Sequence, residues 1–177
     1  MKKLLSVLLA AGLLLCSLAA CGKSGDVSVP YGMQLASDTS VVDYYLFIPQ
    51  KWTVDMANGA TSAYYSTDDP SSITMTAYGL SDAVSDAESY WDFFTKQFEG
   101  VFGEPENVET SNLLLDGKEA MQYVFTAKLG DTEYKFRQIV CTRNKMAYIL
   151  TYASTAENYD KHADEVQETI SQFRFMA

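Results

Sequence analysis

The chain has 177 residues, and its 23 acidic side chains outnumber 13 basic ones, giving a formal net charge of −10. Such a surface repels phosphate backbones and anionic headgroups, which sets nucleic acid and a peripheral lipid surface aside as partners. An aromatic share of 13%, with 12 Tyr and 9 Phe, excludes a disordered chain and suits the pleated surfaces of a sheet.

The first twenty residues read as a targeting segment. Lys2 and Lys3 form a positive start, and Leu4 to Leu15 is almost wholly apolar. That run is shorter than the roughly 20 apolar residues of a membrane-spanning helix, and a small-residue site follows it, as in a secretory signal peptide. Leu18-Ala19-Ala20-Cys21 resembles the lipobox of bacterial lipoproteins. The resemblance implies cleavage before Cys21 and diacylglycerol on its thiol, with palmitate-like acyl chains as the membrane anchor. Two or more such chains hold a protein stably at a bilayer. On this reading 1–20 is the signal peptide and 21–30 is the lipidated cysteine with its tether. Residues 31–177 form a single domain. The stretch Gly22 to Pro30 spans at most about 30 Å.

Along the domain, Asp43 to Ile48 reads as a strand stopped by Pro49, and Trp52 opens the next extended piece. Thr61 to Ser66 is a second strand, closed by Thr67-Asp68-Asp69-Pro70, and Ser72 to Tyr78 is a third. A helix follows, with Ser85 and Glu88 as its capping box. Ala87, Tyr90, Trp91, Phe94 and Phe98 form one apolar stripe, and Gly100 and Gly103 end the helix. A meander comes next, with strands Val108–Leu115, Glu119–Lys128, Glu133–Arg143 and Met146–Ala153. They are joined by turns at Asp116-Gly117, Gly130-Asp131 and Asn144-Lys145.

In the last of these strands Met146, Tyr148, Leu150 and Tyr152 point one way, and Ala147, Ile149 and Ala153 the other. Such a strand is covered on both faces. A second helix supplies cover, capped by Ser154 and Glu157, with Tyr159, Ala163, Val166, Ile170 and Phe173 as its stripe. The expected fold is α+β: an antiparallel sheet with a helix on each face.

Three features carry a family resemblance: the run Tyr45 to Trp52, the hairpins from Asp116 through Tyr152, and the closing Ser171-Gln172-Phe173-Arg174-Phe175. Over about residues 31 to 176 the chain resembles the PsbP-like family of α/β/α sandwiches. That resemblance implies a binding or assembly module, a role that many bacterial lipoproteins in the family share. It carries over no metal ligands.

Chemistry-bearing residues are sparse. Cys141 lies in the strand-like RQIVCTR with no nearby histidine, so it reads as a buried, inert thiol, and no structural disulfide is expected. His162 is the single histidine, and it reads as an exposed helix residue. A Ser/His/Asp relay would need a serine facing it across the sheet. A zinc site would need further N or S ligands, and Cys141 alone is on hand. Asp68, Asp69 and Asp82 sit in loops and are weak candidates for calcium, without EF-hand spacing; as turn formers they need no metal. Among the aromatics, Tyr44, Tyr64 and Tyr78 are weak candidates for a ligand groove, and Trp52 and Trp91 belong to the core.

Two functions follow. One is a non-enzymatic, extracytoplasmic lipoprotein that binds a protein or small ligand, with no cofactor beyond its covalent lipid. The other is a surface hydrolase working through paired carboxylates in one concave pocket.

Overall fold

The computed structural model describes residues 27–55, 61–82 and 84–176. The expected signal peptide, Cys21 and most of the expected tether lie outside them. Among the described residues no helix is long and apolar enough to cross a membrane.

The chain opens with β1 (Met33–Leu35), β2 (Tyr44–Tyr45), β3 (Phe47–Pro49) and β4 (Thr53–Asp55). The single strand expected at 43–48 is two. β3 pairs with β1, with Pro49 opposite Met33, so Pro49 is the last paired residue and the strand ends there. β2 instead pairs with β11 (Arg174–Phe175), at the far end of the chain. Leu46 marks the change of partner. It is fully buried, and its N–H donates to Ser37 Oγ at 3.1 Å.

β5 (Thr61–Tyr64) and β6 (Ser72–Gly79) come next, and α1 (Ala87–Phe102) then crosses to the far edge of the sheet. There β7 (Glu106–Leu115), β8 (Lys118–Leu129), β9 (Thr132–Arg143) and β10 (Met146–Thr155) run back inward. The result is a seven-stranded antiparallel sheet in the order β4-β5-β6-β10-β9-β8-β7. The β7–β8 and β9–β10 turns take left-handed backbone, which Gly117 and Asn144 tolerate readily and Lys145 less so. Asp116 and Gly117 lie at φ 46° and 72°, and Asn144 and Lys145 at 51° and 61°. Two consecutive positive φ values match the twist of the flanking strands.

α1 starts one residue later than Ser85 predicts. Asp86 is the cap: its carboxylate accepts from the Ser89 N–H at 2.8 Å, and the Asp86 N–H donates to Ser89 Oγ at 3.0 Å. The box is therefore Asp86 with Ser89, not Ser85 with Glu88. Gly100 stays helical, and Gly103 alone terminates the helix.

The second helix also departs from expectation. β10 runs on to Thr155, paired with Tyr134, and the buried Ser154 Oγ lies 2.7 Å from Ser71 Oγ. Ser154 thus belongs to the sheet and caps nothing. A 3-10 turn (Tyr159–His162) leads into α2 (Ala163–Gln172). Val166, Ile170 and Phe173 are buried, but Ala163 is exposed.

Two cores result. Tyr148, Leu150 and Tyr152 of β10 pack with Val166, Ile170, Phe173, Tyr44 and Trp52. Ala147 and Ile149 of the same strand pack with Tyr90, Phe98, Tyr123, Phe125 and Phe136. The alternation read in MAYILTYA divides the two cores as expected. Trp52 is buried, while Trp91 is half-buried and stacks on Tyr123 at 4.2 Å.

Candidate functional site

His162 is not an exposed helix residue. It is 4% exposed and lies between two carboxylates. Nε2 is 2.9 Å from Asp69 Oδ2 and Nδ1 is 3.0 Å from Glu165 Oε2. Both contacts are hydrogen bonds when both ring nitrogens carry hydrogen. Each carboxylate is further saturated. Asp69 Oδ1 accepts from the Ser71 N–H at 3.1 Å and the Ser71 hydroxyl at 2.6 Å. Glu165 Oε2 accepts from the Trp52 indole N–H at 3.0 Å, and Lys51 pairs with Oε1. Tyr65 lies on the imidazole at 4.2 Å and Trp52 meets it at 5.3 Å.

Burial alone would raise both carboxyls. For Asp69 the hydrogen bonds from Ser71 and His162 outweigh it and hold the group below its ordinary range. For Glu165 those from Lys51, Trp52 and His162 do the same. Both ring nitrogens face carboxylates and neither faces a serine, so the relay does not form. The cluster is a clasp that ties the β3–β4 turn, the β5–β6 connection and α2 together. The sequence did hold one sign of it: His162 and Glu165, three apart, share a side of a helical turn.

The three aspartates named for calcium are dispersed in role. Asp69 is committed to the clasp, while Asp68 and Asp82 are exposed in their turns. Among the described residues no group of three or more His, Cys, Asp or Glu side chains could hold a metal ion.

Cys141 is fully buried beside Ala120 and Tyr148 in the first core. Burial pushes its thiol up to about 11. Since the thiolate is the nucleophile, Cys141 should not react with a disulfide reagent at pH 8 in the folded protein, and guanidinium should expose it as a fast-reacting thiol, read by peptide mapping. Rapid native labelling of Cys141 would refute this burial.

The tyrosine candidates divide. Tyr44 is a core residue whose hydroxyl lies 3.1 Å from Thr61 Oγ1. Tyr78 is exposed and stacks beside Tyr90 at 6.3 Å, and Tyr64 is exposed at the end of β5. Tyr44 and Tyr78 line a common cleft of about 570 Å³ with Val41, Met75, Met146 and Tyr148; Tyr64 is not part of it. β6 contributes Met75 to Tyr78 to the cleft and β10 contributes Met146 and Tyr148, from neighbouring strands of the sheet. Tyr148 donates to Asp43 Oδ2 at 2.7 Å there, and Arg143 holds the same oxygen at 3.1 Å.

A larger groove, of about 700 Å³, lies at the opposite edge of the sheet. The α1 stripe covers Tyr123, Phe125 and Phe136 but begins too late to cover the hairpin ends. Leu114, Met121, Val140 and Ala87 line that uncovered corner, with Asn112 and Thr142 among them and Asp86, Glu88 and Glu119 as its acids. Leu114 is 65% exposed. Its sign was present in the sequence: in Leu113-Leu114-Leu115 the middle residue must face away from its neighbours. Leu115 is buried in the first core and Leu113 packs against it, while Leu114 is the exposed leucine of the groove.

No family model and no curated protein matches the chain. Solved structures do. Cyanobacterial PsbP (CyanoP) from Synechocystis aligns at TM-score 0.56 and 17% identity over 89% of this chain and 98% of that one. LpqN, involved in cell envelope biogenesis of Mycobacterium tuberculosis, aligns at 0.56 and 13% identity over 76% and 83%. The Saccharomyces cerevisiae Ran-binding protein Mog1p aligns at 0.58 and 9% identity over 84% and 96%. The chain has the PsbP-like fold, a mostly antiparallel sheet with two helices.

Proposed function

We propose that the protein is an extracytoplasmic lipoprotein, anchored by acyl chains on Cys21, whose domain is a non-enzymatic binding or accessory module. The corner groove is its binding face. The observation that carries this reading is the groove itself: an apolar floor with an exposed leucine, beside the start of α1. The domain is an α/β/α sandwich, and two features support that. Successive residues of β10 alternate between the two cores, and α1 belongs to one core while α2 belongs to the other. A role at the cell envelope, as for LpqN, fits the lipobox-like Leu18 to Cys21.

The test has two arms. With intact export, the wild-type chain should sediment with membranes and release into detergent, while Cys21→Ala should be soluble. A wild-type chain recovered without detergent would remove the anchor from this reading. A photo-crosslinking residue at Leu114 should then capture a partner that the same residue at Lys96, on the exposed side of α1, does not. Equal capture at both positions would remove the groove.

A further inference from the structure

The corner groove joins three features that together specify what fits it. Its floor is apolar. Its ionisable lining is acidic, with Asp86 and Glu88 from the start of α1 and Glu119 from the start of β8, and among the described residues no Lys, Arg or His lines it. One of its walls is β7, the outermost strand of the sheet, which pairs with β8 on one side. β7 is exposed along most of its length and carries Glu106 and Glu109 further along.

A strand edge presents unpaired N–H and C=O groups, the template on which an extended segment adds as another strand. The same acids also bear on a neighbouring side chain. Tyr123, whose hydroxyl donates to the Ala87 carbonyl at 3.1 Å, is pushed up to about 12 by burial and by the charges of Glu88, Asp92 and Asp86.

Resting on the reading of this groove as the binding face, we propose that its occupant is an extended, basic segment of a partner protein. The segment lays one apolar side chain against Leu114 and Met121 and places Lys or Arg beside Glu88 and Glu119. Charge complementarity selects this occupant. A second copy of the chain, with a net charge of −10, would set its own acidic β7 against Glu106 and Glu109. Acidic peptides and phosphates are repelled in the same way.

The full chain in nanodiscs of zwitterionic lipid can be titrated with fluorescent peptides, read by anisotropy against empty nanodiscs. One peptide alternates Lys and Leu, one Glu and Leu, and one Lys and Ser. The Lys-Leu peptide should bind at least about tenfold tighter than either of the others. It should weaken about tenfold as salt rises from about 50 to about 500 mM. Leu114→Ser should abolish its binding, and Glu88→Gln with Glu119→Gln should remove most of the salt dependence. Leu114 is largely exposed, so its replacement leaves the fold intact.

Equal binding of the Glu-Leu peptide at Leu114 would overturn the charge assignment while keeping the groove as a binding face. Failure of all three peptides, or binding indifferent to Leu114→Ser, would overturn both. A dimer that dissociates with Leu114→Ser would assign the groove to a second copy and overturn the proposal.

Discussion

Replacing His162 with alanine is expected to destabilise the domain by about 3 kcal/mol at neutral pH, one of the largest effects available to a single side chain here. The ring fills the space between Trp52 and Tyr65, and it separates two carboxylates whose side chains are 15% and 18% exposed. Its loss leaves Asp69 and Glu165 facing one another without the imidazole, together with a void. Removing one partner of a buried ionic group costs more than removing the whole group. Adding Asp69→Asn and Glu165→Gln to His162→Ala should therefore recover part of the loss. Urea unfolding of the single and triple variants measures this, and a single variant within about 0.5 kcal/mol of wild type would refute the clasp.

The clasp also gives stability a pH dependence of definite sign. The carboxyls of Asp69 and Glu165 are held below their ordinary values of 3.8 and 4.5 in the folded protein. Groups depressed by folding contribute stability that is fully present above their unfolded values and lost as pH falls through the folded ones. The contribution of the two carboxylates is present at neutral pH and is lost as pH falls below the ordinary carboxylate range. Removing both carboxylates should flatten the acid limb of the stability curve.

Phe125→Ala is the second large expectation, at about 4 kcal/mol. Phe125 is 1% exposed and stacks on Phe136 at 4.9 Å. Trp91, Phe94 and Phe98 of α1 surround it at 5.2, 6.0 and 5.4 Å. The cavity left would have rigid aromatic walls on both the helix and the sheet, so little can collapse into it. Phe93→Ala, on the exposed side of the same helix, is the control and should stay within about 0.5 kcal/mol of wild type. Parallel urea curves with unequal midpoints would bear this out. Similar losses at the two positions would mean that α1 does not pack as described.

Much of the fold was legible in the sequence because it is local. Hairpins announce themselves through residues that tolerate positive φ, and an apolar pattern on both faces of Met146 to Ala153 can only belong to a strand between two cores. What failed was decided at a distance or by a close contest. Ser85 and Asp86 are adjacent cap formers, and the choice went to the residue whose carboxylate could accept from both the Ser89 N–H and the Ser89 hydroxyl. Ser154 looked like a cap because its hydroxyl partner, Ser71, is 83 residues away. The surroundings of His162 depend on Asp69, 93 residues earlier, which no periodicity within the helix could disclose. Tyr44 and Tyr78 were named as separate candidates, and only the tertiary fold, which sets β2 beside β6 and β10, brings them to one cleft.

The pairing of β2 with β11 has a consequence for how the molecule comes into being. Tyr44 and Tyr45 find their strand partners in Phe175 and Arg174, and Arg143 locks the join by donating to the Met176 carbonyl at 2.8 Å. This contact joins strands far apart in the chain, so forming it closes a long loop, an entropy cost that the short β7–β8, β8–β9 and β9–β10 hairpins do not carry. The meander is therefore expected to pair early and the β2–β11 join to follow it.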